Sequence, residues 1–82
     1  MRYEEFNGRR VQVIDFDDVS GERVLEFIDS NTEEVGAVLA VYNTSDEWAN
    51  AKVSISPRVD GVSVEFMDWA LRLAQRTMAP GP

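Results

Sequence analysis

The residues able to do chemistry in this chain are almost all carboxylates. Its 82 residues include no histidine and no cysteine. That removes the commonest general base, the thiolate nucleophile, ordinary zinc ligation, and both Ser–His–Asp and Cys–His catalysis. What is left is Asp15-Phe16-Asp17-Asp18, where Asp15 and Asp17 share one face of an extended segment. Two carboxylates so placed could share a hard cation, with Glu33 and Glu34 joining from another turn. The spacing does not match an EF-hand loop, and no phosphate-cradling or dinucleotide-binding glycine pattern occurs. Paired acids also serve glycoside hydrolysis, but so short a chain leaves little material for a substrate cleft around them. The expectation is a non-enzymatic protein without metal or cofactor.

The carboxylates are unevenly placed. Between Asp15 and Glu47 lie ten acids and one base, Arg23, whereas the flanking segments each sum to +1, for a net charge of −7. An acidic lobe beside near-neutral ends suits electrostatic steering of a basic protein partner and argues against direct nucleic-acid binding. It also serves solubility alone. The candidate acidic contact set is Asp15, Asp17, Asp18, Glu33, Glu34, Asp46 and Glu47. Trp48 follows the last two acids, and either folds back to cap the core or anchors a partner beside them.

These residues need elements to hold them. The absence of cysteine points to a reducing, cytoplasmic compartment. No apolar run is long enough to cross a membrane, and Glu4 and Glu5 stand where a secretory leader would be basic and then apolar. One domain over residues 1–78 is expected, with a loose tail at 79–82. Asn7-Gly8 predicts a type I′ hairpin pairing Arg2–Phe6 with Arg9–Phe16 and setting Glu5 opposite Arg10. A bulge near residues 13–14 would turn Val11, Val13, Ile14 and Phe16 to one core. Arg23–Asp29 reads as a strand, with a short helix as the alternative. Val35–Tyr42, apolar on both parities, reads as an interior strand covered on both faces. In Ala51–Pro57, Val53 and Ile55 alternate inward.

The C-terminal helix is the clearest element, with Ser63 as its cap and Glu65 in its first turn. Val64, Met67, Leu71, Ala74 and Met78 form one apolar stripe, and Phe66, Trp69, Ala70 and Leu73 an apolar flank beyond it. A helix on one sheet needs a stripe of only ~100°. The flank is either wrapped by the Tyr3–Phe6 segment or a strongly curled sheet or, through Phe66, Trp69 and Leu73, a contact patch for a partner or a second copy. The fold expected is α+β, an antiparallel sheet of four to five short strands with one C-terminal helix packed on it. The alternative is β-α-β-β-α. The function expected is a small acidic protein-binding module of the inhibitor, immunity or phage-antagonist kind. A nucleic-acid mimic and a self-associating assembly subunit, dimerising through the helix, are the alternatives.

Overall fold

Asn7 and Gly8 both hold left-handed backbone, with φ of 48° and 78°. Positive φ at both central positions matches the right-handed twist of the flanking strands. The turn therefore folds strand β1 (Arg2–Phe6) onto β2 (Arg9–Asp17), with Glu5 opposite Arg10 as the charges favour. A computed structural model of the chain describes residues 2–31, 36–45 and 47–78. In it β1 and β2 continue into β3 (Arg23–Asp29), β4 (Leu39–Asn43) and β5 (Lys52–Ile55), and helix α1 (Val64–Met78) follows. The strands form one antiparallel sheet in the order β1-β2-β3-β4-β5. The chain is an α+β protein with the helix packed on the sheet.

Period-two alternation decides which side chains meet the helix. Val11, Val13, Leu25, Phe27, Leu39 and Val41 point to it and are fully buried. No bulge interrupts β2, whose register with β3 runs unbroken from Val11↔Asp29 to Asp17↔Arg23. Ile14 and Phe16 thus point to the opposite face, which has apolar residues of its own. The bulge lies instead at the start of β4. There Val38 N–H donates to the Phe27 carbonyl (2.9 Å), although Leu39 is the register partner of Phe27.

Strand β4 is shorter than the apolar run suggested, beginning at Leu39, and Val35 lies outside the described residues. It is interior, between β3 and β5. The helix covers only one of its faces, because the helix layer lies on one side of the sheet. Val53 and Ile55 face the helix side as expected, yet each stays 40% exposed.

Ser63 Oγ accepts the Phe66 N–H (3.1 Å), and the Ser63 carbonyl accepts the first helical bond, from Met67 N–H (2.9 Å). This is the anticipated N-cap. The face that meets the sheet is rotated from the anticipated stripe. It centres on Ala70 and buries Phe66, Leu73, Ala74 and Met78, while Val64 stands 85% exposed. Small side chains at Ala70 and Ala74 let the helix axis approach the sheet, and the aromatics fill the space beside it. Ala70→Leu is therefore expected to destabilise by about 2 kcal/mol through overpacking. Val64→Ala, at an exposed position, should shift stability by less than about 0.5 kcal/mol. Urea unfolding of the two variants checks both, and the anticipated stripe would give the reverse order.

Candidate functional site

Two loops carrying the acidic block meet at one end of the sheet. Asp17, Arg23 and Asn43 are successive cross-strand partners, so the β2–β3 turn and the β4–β5 loop share that end. Asp15, Asp17, Asp18 and Glu47 are all exposed there. Asp15 grips Arg23 through both oxygens, at 3.2 Å to Nε and 2.9 Å to Nη2. This hydrogen bond raises the Arg23 guanidinium above its ordinary value, with Asp17 adding to the effect and burial opposing it. A raised base contributes stability below its ordinary value and loses it only as pH climbs through the raised one, far above neutrality.

Asp18 is a turn residue as much as a surface charge. Its carboxylate accepts Val19 N–H (2.8 Å) and the Ser20 hydroxyl (3.1 Å). In the β4–β5 loop the Glu47 carbonyl accepts from Asn43 Nδ2 (3.1 Å), tying this acid to a buried amide. Glu33, Glu34 and Asp46 lie outside the described residues. Among the described residues, no group of three or more acidic side chains is placed to hold a metal ion.

The aromatic candidates divide differently. Phe66 and Leu73 are buried and Trp69 is half-buried, all against the sheet. Trp69 lies 5.2 Å from Phe6, 5.6 Å from Phe66 and 6.0 Å from Phe27, ring centre to ring centre. Of the two readings of this flank, the structure has the wrapped one: β1 reaches under it through Phe6, which packs on Phe66 and Trp69, so Phe66, Trp69 and Leu73 belong to the core and not to a contact patch. The apolar helix surface left outside is that of Val64, Met67 and Leu71, which line a shallow depression with Val62. Trp48 is half-buried and packs against the core from a 3₁₀ turn, Trp48–Asn50.

One acid of the central block serves the core instead. Asp29 is 8% exposed and bridges to Arg9, with Nη2–Oδ2 at 3.0 Å and Nε bonds of 3.1 and 3.2 Å. The Arg9 guanidinium also sits 5.1 Å from the Phe6 ring centre. The signal was parity, since Asp29 continues the inward series Leu25, Phe27.

Sequence reasoning also missed the sheet face opposite the helix. Even-numbered residues of β2 to β5 and odd-numbered residues of β1 point there. One row across the sheet is Phe16, Val24, Tyr42 and Lys52, and the next is Ile14, Glu26, Ala40 and Ser54. Tyr3 and Phe16 are exposed, and Ile14, Val24, Ile28 and Tyr42 are half-buried. At the rim Arg10 stacks 4.2 Å from the Tyr3 ring centre. Glu26 sits mid-sheet on β3, between Ile14 and Ala40. Among the described residues its carboxylate has no hydrogen-bond or ion-pair partner. The signal for this face was the second apolar parity of β2 and β3.

No family model matches the chain, and neither curated proteins nor solved structures give a match.

The two ion pairs differ in burial, so they should differ in worth. Replacing Arg9 with Met removes the cation beside a buried carboxylate that keeps other hydrogen bonds, among them one from Asn31 N–H (3.2 Å), and is expected to cost about 3 kcal/mol. Arg23→Met breaks an exposed pair and should cost less than about 1 kcal/mol. Denaturant unfolding at neutral pH measures both.

Proposed function

We propose that this chain is a non-catalytic protein-binding domain whose partner docks on the open sheet face and presents a basic side chain to Glu26. The observation that carries the reading is that half-buried carboxylate, without a partner among the described residues, set among apolar side chains. A lone charge at mid-sheet adds nothing to the strand ladder, and β-propensity disfavours glutamate there. Flanked by Phe16, Tyr42 and Ile28, it forms the kind of surface that carries binding energy. Apolar anchors supply affinity, and one charge excluded from water selects its opposite.

The acidic end supports the same reading from a distance. Exposed Asp17, Asp18 and Glu47 project field toward a basic partner and accelerate encounter. The strand-end carboxylates are already committed, Asp15 to Arg23 and Asp18 to its turn, which fits steering better than acid–base work.

Two measurements test the proposal. Glu26→Thr should raise stability by about 0.5 kcal/mol, since threonine suits a strand and removes a half-buried charge. Glu26→Arg should abolish capture of the partner from host lysate, while Asp60→Arg, the same charge reversal in an exposed loop, should retain it. A partner lost equally with either reversal, or a Glu26→Thr protein markedly less stable than the parent, would count against it.

A further inference from the structure

The outer edge of β5 carries a second, independent surface. Ser56 N–H donates to the Val38 carbonyl (3.0 Å), and the ladder continues as Leu39↔Ile55, Ala40↔Ser54, Val41↔Val53 and Tyr42↔Lys52. Backbone groups alternate sides along an antiparallel strand. Lys52, Ser54 and Ser56 therefore bond to β4, and Val53 and Ile55 turn their N–H and C=O groups outward. Among the described residues no strand lies beyond them. The usable edge is sharply bounded. Ala51 N–H is already given to the Trp48 carbonyl (3.0 Å), and Pro57 has no N–H.

The two edges of the sheet are defended unequally. Strand β1 carries Arg2, Glu4 and Glu5, with Arg2 and Glu4 paired at 3.1 Å, and charged edges resist pairing. Strand β5 has one charge, Lys52, at its end. Its Val53 and Ile55 side chains are 40% exposed on the helix side, outside the Phe6, Phe27 and Trp69 cluster where the helix sits.

We infer that β5 pairs antiparallel with β5 of a second copy of this chain, about a two-fold axis through Ser54. In that register Val53 of each copy faces Ile55 of the other, giving four backbone hydrogen bonds that use the outward N–H and C=O of both residues. Both apolar cross-strand pairs on the helix side are then Val–Ile, and Ser54 meets Ser54 on the other face. Lys52 lies opposite the second copy's Ser56, which holds the two lysines about 13 Å apart along the strands. Shifting the axis onto Val53 calls on the occupied Ala51 N–H, and shifting it onto Ile55 calls on Pro57. Antiparallel pairing also sets the acidic end of one copy beside the opposite end of the other, where Arg58 lies. The sheet becomes one ten-stranded layer with both helices far from the seam. So short a seam places the pair among weak, concentration-dependent associations.

Because the chain has no cysteine, Ser54→Cys introduces a unique thiol at the two-fold axis. It would occupy a non-hydrogen-bonded pair, with Cα atoms about 4.5 Å apart, within disulfide reach. Under mild oxidation Ser54→Cys should form a disulfide-linked dimer at least roughly tenfold faster than Ser20→Cys in the exposed β2–β3 turn, through its higher effective concentration. Val53→Pro removes an outward N–H and the Val53 side chain of the Val–Ile pairs while leaving the β4–β5 hydrogen bonds in place, and should keep the monomer's circular dichroism. It should lower the dimer fraction seen by light scattering at millimolar concentration. Equal cross-linking rates for the two cysteine variants, or a parent chain that stays monomeric at that concentration, would overturn the inference. So would a dimer that Val53→Pro leaves intact while the variant stays folded.

Discussion

One helix has to dry a sheet wider than itself. Five strands spaced about 4.8 Å apart put the edge strands roughly 19 Å from each other. A helix with its side chains is only about 10 Å across. The Phe6, Phe27, Phe66 and Trp69 rings decide where that limited cover goes, locking α1 over β1 to β3. The remaining width is closed in part by Trp48, Ala51, Val59 and Val62 from the flanking loops, which pack on the core's margin. Val53 and Ile55 lie beyond all of them. Their exposure is the direct result of a cover too narrow for its sheet.

The same shortage explains the opposite face. A second helix layer would bury Ile14, Phe16, Val24, Ile28 and Tyr42, but the described chain holds only one helix. These side chains shield one another in cross-strand rows and stay half-wet. A charge in their midst is tolerated because water still reaches it, and under the proposed function it would become selective once a partner excluded that water. Asp29 shows the alternative outcome for an acid of the same strand. Three residues along and on the other parity, it enters the core and needs Arg9 to neutralise it.

Local signals were legible in the sequence and long-range ones were not. Asn7-Gly8 announces its turn because two residues alone set the backbone, and Ser63 announces its cap for the same reason. The strand at Arg23–Asp29 follows from its alternation. The rotation of α1 does not, since nine apolar positions spread over more than half its circumference fit several phases. Only Phe6, arriving from the far end of the chain, selects the one with Phe66 and Trp69 inside. The charge block misled in the same way. Counting acids from Asp15 to Glu47 treats Asp29, Glu26 and Asp17 alike. Register makes the first a core ion pair, the second an isolated charge on an apolar face, and the third an exposed charge at the sheet's end. The partition of β2 into two faces was missed by assuming one core for both parities.

One sheet face is core, and the proposed function makes the other a contact surface. Hydroxyl-radical footprinting of the isolated protein, read residue by residue, tests it most directly. Tyr3 and Phe16 should be modified readily while Phe6, Phe27 and Phe66 stay protected, and binding of the partner should extend protection to Tyr3 and Phe16. Equal protection of both sets in the free monomer, or an open face that stays reactive in the complex, would rule this arrangement out.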